Sequence, residues 1–239
     1  MNLLAIDAGN TRIKWGLHDG QQWLQRGHIA HDEIARLPAL VATPADHIII
    51  SNVAGPAIAT AIAQAFRDRT MHTVRATERQ LGVSNHYDNA AQLGSDRWAA
   101  LIAAHQLGAR TAIIVTAGTA LTADALHDGQ FLGGIIAPGY QLMQTALAGN
   151  TAQLAIAPGM FNPFPTNTAD AIASGCLLAL IGAIERMAAT LQQRTQQPVH
   201  VWLNGGDAQI LIPHLSLPVR LEDNLVLIGL NIIAQEVFA

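Results

Sequence analysis

Eight residues near the N-terminus, DAGNTRIK at 7 to 14, gather an acid, small turn residues, hydrogen-bond donors and a lysine into one short stretch. Asp7 at the end of an apolar run is suited to holding Mg²⁺, usually through water. Gly9, Asn10 and Thr11 supply a turn and donors, and Lys14 brings a point charge to phosphates. Glycine lets the backbone approach closely, so several N–H groups can converge on one anion. An Asp that only caps a strand end is the competing reading of Asp7, and the clustering of donors and Lys14 around it argues for the phosphate role.

A second constellation, GSDR at 94 to 97, opens a helix with a carboxylate beside a guanidinium. Beside a cleft, Asp96 is placed to take a proton from a substrate hydroxyl. Arg97 and the N–H groups of the helix N-terminus are placed to receive a substrate carboxylate. Read alone, the motif is better explained as an acid favoured by the helix dipole next to an unremarkable Arg. LNGGDA at 203 to 208 follows an apolar strand and precedes a helix. Paired glycines there let a planar ring such as adenine lie against the backbone, with a plain strand-to-helix turn as the equal alternative. Neither GxxxxGK[ST] nor GxGxxG occurs, which removes the P-loop and Rossmann readings.

The elements that must position these groups come in two copies. LLAIDAGNTRIKWGLHDGQ at 3 to 21 aligns without a gap with AIIVTAGTALTADALHDGQ at 112 to 130. Ala8 and Gly9 match Ala117 and Gly118, and both copies end in the same five residues, Leu17 to Gln21 and Leu126 to Gln130. Two strand-turn-strand units of this kind, facing each other, would grip a polyphosphate from both sides; a chance recurrence of hairpin residues is the alternative. The second copy keeps the Gly-Thr turn but carries Thr116 where the first has Asp7.

The pattern predicts strands over 3–10, 11–18 and 22–30, a buried strand over 47–54, a helix from Pro56 to about Arg69, a short strand over 71–76 and a polar loop to Gln92. A helix over 95–107 follows, with Ser95 as its N-cap and Trp98, Leu101, Ile102 and His105 on one face. The second half predicts strands over 111–117, 119–126 and 129–136, a helix to about Ala148, a Pro-rich loop, and a long helix over 169–194. A strand at 199–206, a short helix from Asp207, a strand near 217–221 and a closing helix over 224–237 complete it. This is an α/β chain of two similar domains, 1–109 and 110–239, whose cleft is the natural ligand site.

Composition narrows the function classes. Only 13% of the 239 residues are charged and 50% are hydrophobic, a surplus that suggests surface buried again in an oligomer. No apolar run approaches a membrane span, and MNLLAID lacks a basic region and cleavage site, so neither a membrane segment nor an export signal is expected. Cys176 is the sole cysteine, which fits a reducing cytoplasm. A net charge of −4 with scattered basic residues gives no stripe for nucleic acid, and the 10 histidines form no metal-spaced cluster.

On DAGNTRIK, Tyr87 followed by LGSDRWAAL at 93 to 101, AGTALTAD at 117 to 124, GGIIAPG at 133 to 139, NTADAIASG at 167 to 175 and LNGGDA, the chain resembles the type III pantothenate kinases of the actin, Hsp70 and sugar kinase superfamily. The resemblance implies two actin-like, ribonuclease H-like domains with a nucleotide cleft between them. It implies ATP-dependent phosphorylation of pantothenate to 4'-phosphopantothenate, the first step of coenzyme A synthesis, with Asp96 as proton acceptor. Tyr87, Gly94, Ser95, Asp96, Arg97 and Thr168 match the family's pantothenate site. Asp7, Ala8, Gly9, Asn10, Thr11, Arg12, Ile13, Lys14 and Thr119 match its ATP site, with Mg²⁺ near Asp7. It also implies a cytoplasmic homodimer with the acceptor pocket completed across the interface. Family members carry Asp where this chain has Thr116, and that Asp helps hold K⁺ or NH₄⁺; a neutral hydroxyl is a weaker ligand, which puts that ion in doubt here. A kinase-like transcriptional accessory factor and a kinase for another small alcohol are the alternative functions.

Overall fold

The computed structural model describes residues 2–150 and 158–239. The chain divides into two compact units, Met1–Gly108 with Asn224–Ala239, and Ala109–Asp223. The expected division is 1–109 and 110–239; the units here divide after Gly108, and the closing helix Leu225–Val237 groups with the first unit.

In the first unit β1 (Leu3–Ala8), β2 (Ile13–His18), β3 (Trp23–Ile29), β4 (His47–Asn52) and β5 (Thr70–Thr73) form a sheet of order β3-β2-β1-β4-β5. The first three strands are antiparallel, and β4 and β5 run parallel to β1 and to each other in turn. All six residues of β1 are buried, as expected of a strand covered on both faces. On one face Leu4, Ile6, Ala8, Ile13, Trp15, Leu17, Ile48 and Ile50 build a core with Ile34, Leu37, Ile62 and Phe66. These last four come from a 3-10 turn His31–Arg36, the short α1 (Leu37–Leu40), and α2 (Pro56–Ala65) with its C-cap. Helix α2 starts on Pro56, whose fixed φ suits a first helical turn, and stops at Ala65, short of the expected Arg69.

The polar loop expected over 77–92 contains a small hairpin, β6 (Arg79–Gln80) and β7 (Val83–Asn85), turned by Leu81 and Gly82 at φ 48° and 82°. The other face of the sheet receives α3 (Ser95–Gln106) and the closing helix, which also pack on each other. Their approach depends on Gly229, where a Cβ would stand only 1.9 Å from the Ala99 carbonyl oxygen. This contact is why the last helix belongs to the first unit. Gln80 stitches the layer together, accepting from Trp98 Nε1 at 3.0 Å and donating to Glu236 at 2.7 Å.

In the second unit β8 (Thr111–Ala117), β9 (Ala120–His127), β10 (Gln130–Pro138), β11 (His200–Asn204) and β12 (Val219–Leu221) repeat that plan as β12-β11-β8-β9-β10, with β8, β9 and β10 antiparallel and β11 and β12 parallel. Helices α4 (Tyr140–Asn150), α5 (Thr168–Thr195) and the short α6 (Ala208–Leu211) complete it. Ile113, Val115, Leu121, Ala123, Val201 and Leu203 pack against Leu177, Leu180, Ile181 and Ile184 of α5. At 28 residues, α5 is long and apolar enough to cross a membrane, contrary to the expectation of no such stretch, yet this packing makes it a core helix of its unit.

The two copies fold to the same plan with different turns. Ala8 pairs with Ile13 and Asp7 with Lys14. In the second copy Ala117 pairs with Leu121 and Thr116 with Thr122, so the loop is one residue shorter. The shared pentapeptide also closes two ways. Asp19 Oδ1 accepts the N–H groups of Gln21 and Gln22 at 2.8 Å each in a four-residue connection, with only Gly20 at positive φ. His127 instead pairs with Gln130 across Asp128 and Gly129, both at positive φ, 44° and 76°.

Candidate active site

Four strands of the first sheet bring one polar residue each to the same level of one face. The β-ladder registers set His28 opposite Lys14, Lys14 opposite Asp7, and Asp7 beside Ser51. This is the face on which α3 packs, and the contact is specific: the buried Ser51 hydroxyl lies 2.9 Å from that of Ser95. Ser95 is therefore the first helical residue, not the expected N-cap; Gly94 holds the cap position, and the Ser95 side chain pairs across to the sheet. The Ser51–Ser95 bond fixes the N-terminus of α3, and with it Asp96, relative to the end of β1.

Asp7 is 8% exposed and its carboxyl is pushed up to about 7, first by burial, then by the negative charge of Asp96, with Lys14 pulling the other way. Burial likewise raises Asp96 above the ordinary carboxylate range, although the Arg97 N–H donates to its Oδ1 at 2.8 Å and the Arg97 charge opposes the shift. Two neighbouring carboxyls raised above the ordinary range are stronger bases than a free carboxylate, and the charge of Asp96 acting on Asp7 favours a cation between them. Gly94 protects this geometry, since a Cβ there would lie 2.6 Å from Asp96 Oδ1.

Arg97 is buried, donates to the Tyr87 hydroxyl at 2.9 Å, and places its guanidinium 5.7 Å from the centre of that ring. Asn85 braces the loop that carries Tyr87, accepting the Tyr87 N–H at 3.1 Å and donating to the Ala90 carbonyl at 3.1 Å. Tyr87, Gly94, Ser95, Asp96 and Arg97 are thus brought together within the first unit. Among the residues expected at the nucleotide, Ala8 and Ile13 close the β1–β2 ladder with their side chains in the core, so only their backbone is available. Asn10, Thr11 and Arg12 are exposed on the turn, and Lys14 is half-buried beside Asp7.

The second unit carries the counterpart row, and it is neutral. Asn204 lies beside Thr116, and Thr116 opposite Thr122. Asn204, fully buried, donates to the Val115 carbonyl at 2.9 Å and to Thr116 Oγ1 at 3.0 Å. The Gly118-Thr119 turn is backed by Gly139, whose N–H donates to the Thr119 carbonyl at 2.9 Å and where a Cβ would stand 1.8 Å from the Gly118 oxygen. Gly205, at φ 108°, lies against Ala117 with room for no Cβ, 2.1 Å from its carbonyl oxygen. Glycine is required at both positions by these approaches. Thr168 is exposed at the start of α5, behind an Asn167 cap whose side chain accepts the Asp170 N–H at 2.9 Å. Among the described residues no group of three His, Cys, Asp or Glu could hold a metal ion.

Sequence reasoning did not find Ser51, Asn85 or Asn204. Each acts across a long sequence separation or on backbone: Ser51 is a lone polar residue in an apolar strand, Asn85 is one of many polar residues in its loop, and Asn204 lies unremarked inside LNGGDA.

Two α/β units of one strand plan, each opening on a glycine turn, define the class: the actin-like fold of sugar-kinase-type enzymes. A Campylobacter jejuni protein provisionally assigned as a Baf family transcriptional activator superimposes with a TM-score of 0.68 at 20% identity, covering 98% of each chain. One from Sinorhizobium meliloti, provisionally named a 2-dehydro-3-deoxygalactonokinase, gives 0.64 at 16% identity and 99% of each chain. At these identities the likeness concerns the fold. The sequence profile of the type III pantothenate kinases matches residues 3–190, and the chain belongs to that family. It is 48% identical over 240 residues to the type III pantothenate kinase of Aromatoleum aromaticum, covering 98% of each chain. The Nitrosospira multiformis enzyme of that name is 45% identical over 240 residues, covering 98% of this chain and 91% of its own.

Proposed function

We propose that this kinase moves the γ-phosphoryl group of ATP to the primary hydroxyl of pantothenate, giving 4'-phosphopantothenate at the first step of coenzyme A synthesis, and that the charged row of the first unit performs the transfer. Phosphoryl transfer asks for positioning and charge neutralisation rather than covalent chemistry. Asp96, raised by burial, takes the hydroxyl proton as the oxygen attacks. Arg97, held by Tyr87, receives the pantothenate carboxylate together with the N–H groups at the start of α3. Lys14 and the turn from Gly9 to Arg12 hold the ATP phosphates, and Thr119 belongs to the nucleotide-binding set that the family resemblance implies.

The residues fit Mg²⁺ as the companion ion, because Asp7 and Asp96 repel each other and a cation relieves what Lys14 only partly offsets. When bound, Mg²⁺ supplies charge neutralisation to the phosphates. A monovalent ion that relies on a carboxylate at position 116 does not fit: Thr116 offers a neutral oxygen already accepting from Asn204.

The observation that carries the reading is the pair of neighbouring carboxyls beside the phosphate turn, Asp7 buried at the end of β1 and Asp96 half-buried at the start of α3, with the charge of Asp96 acting on Asp7. Thr168 belongs to the pantothenate-binding set that the family resemblance implies. We take the working form as a cytoplasmic homodimer, supported by exposed Ile136, Leu142, Met160, Phe164 and Leu178 in the second unit. Light scattering should give twice the 25.3 kDa chain mass. A coupled ADP-release assay with ATP, Mg²⁺ and pantothenate tests the reaction, and ADP release that ignores pantothenate would refute it.

A further inference from the structure

The phosphate turn is held from outside by a residue that neither the ATP nor the pantothenate set includes. His31 Nε2 lies 2.8 Å from the Gly9 carbonyl oxygen, across 22 positions of sequence. A carbonyl only accepts, so Nε2 carries the hydrogen and donates. The ring does not wander to make this contact. It opens the 3-10 turn His31–Arg36, which Ile34 and the following Leu37 anchor in the core and which Glu33 secures by accepting the Ala30 N–H at 3.1 Å. The strand before it, β3, is itself registered to β2, with Ile29 opposite Ile13, the residue that ends the phosphate turn.

A peptide group has two ends. The Gly9–Asn10 bond is trans, so its carbonyl and the Asn10 N–H point in opposite directions. Fixing the Gly9 oxygen towards His31 therefore aims the Asn10 N–H away from it. Asn10 is exposed, and among the described residues no acceptor takes its N–H. Left free, this peptide can rotate and present its carbonyl oxygen to an anion, which repels it. We infer that His31 is a positioning residue of the nucleotide site: it locks the Gly9–Asn10 peptide so that the Asn10 N–H faces the ATP phosphates and the Gly9 oxygen is kept off them. This rests on the reading of residues 7 to 14 as the phosphate turn.

The test uses the full chain with three variants, His31→Ala, His31→Phe and His31→Gln, beside Lys14→Ala as a control on that reading. Gln reaches about as far as Nε2 and keeps an N–H donor; Phe keeps the bulk and loses it. His31→Ala and His31→Phe should raise the KM for ATP about 3- to 10-fold, the worth of one neutral hydrogen bond, with the KM for pantothenate unchanged. His31→Gln should return within about twofold of the unmodified protein. Thermal melting of all three checks that the fold survives. An unchanged KM for ATP in His31→Ala, equal effects of Gln and Phe, or equal rises for both substrates would each overturn the inference. If Lys14→Ala weakens ATP binding while the His31 variants do not, His31 alone is misassigned. If Lys14→Ala leaves ATP binding intact, the phosphate turn is elsewhere and the inference falls with it.

Discussion

Two copies of one supersecondary unit carry different side chains on the matching face, partly because Thr116 stands where the first copy has Asp7 and partly because one turn is a residue shorter. In the first copy the β1–β2 connection puts Lys14 opposite Asp7, so acid and base stand side by side on the face that meets α3. The gapless sequence match assigns Ala123 to the place of Lys14. The shorter loop of the second copy sets Ala123 opposite Val115 instead, on the face packed against α5, and Thr122 opposite Thr116. A slip of one residue moves every side chain of a strand to the other face. The second copy thus keeps the glycine turn and its backbone donors but holds a neutral row of Asn204, Thr116 and Thr122. A duplicated fold need not duplicate chemistry; binding by backbone survives a register change, whereas side-chain chemistry does not.

The comparison is broken most severely at Asp96. Asp96→Asn should lower kcat by about 10²- to 10⁴-fold with pantothenate binding retained, because an amide cannot accept the hydroxyl proton. Steady-state rates together with calorimetry of pantothenate check this, and a loss under threefold would remove Asp96 as the base.

A smaller effect, on stability, distinguishes the two rows without turnover. Asp7 has its folded pKa raised from 3.8 to about 7, so between those values the unfolded chain releases a proton that the folded chain keeps. Stability contributed at this position is full at low pH, falls as pH rises through that window, and stays low above it. In Mg²⁺-free buffer Asp7→Asn should therefore gain on the unmodified protein as pH goes from 4 to 8, by roughly 2–4 kcal/mol at the upper end. Thr116→Val in the second row should show no such pH-dependent gain. Denaturant melts at several pH values measure both.

Ser51→Ala removes one partner of the hydroxyl pair that seats α3, and should lower kcat about 3- to 10-fold with little change in the KM for ATP. The double variant with Ser95→Ala should be no worse than either single one, since both delete the same bond. Additive losses in the cycle would show that the two hydroxyls act separately. The smallest effect is expected at Thr116. The unmodified enzyme should respond little to K⁺, and Thr116→Asp should gain dependence on K⁺ or NH₄⁺ over Na⁺, because a carboxylate there needs a cation to sit near ATP. Strong K⁺ activation of the unmodified protein would contradict this.

Much of this was legible in the sequence because its signals are local. DAGNTRIK, GSDR and the helix from Ser95 are contiguous, and the 3.6 and 2.0 periods mark most strands and helices of both units. What escaped depends on contacts far apart in the chain. Ser51 reads as one more small residue in an apolar strand until Ser95 is seen against it, 44 positions on. His31 looks like a surface histidine until the Gly9 carbonyl is found beside it. The closing helix follows the second repeat in sequence, and only Gly229 docking on Ala99 assigns it to the first unit. A gapless alignment likewise hides a register shift, since a turn one residue shorter leaves the residue letters in line.

The unequal division of labour between the copies is tested most directly by measuring kcat for Asp7→Asn and Thr116→Val side by side, at saturating ATP, Mg²⁺ and pantothenate. The expected result is a loss of about 10- to 100-fold for Asp7→Asn, the usual cost of removing a group that orients a bound metal, and a change within about threefold for Thr116→Val. Equal losses at the two positions would mean that the neutral row takes part in the transfer as fully as the charged one, and would contradict the account.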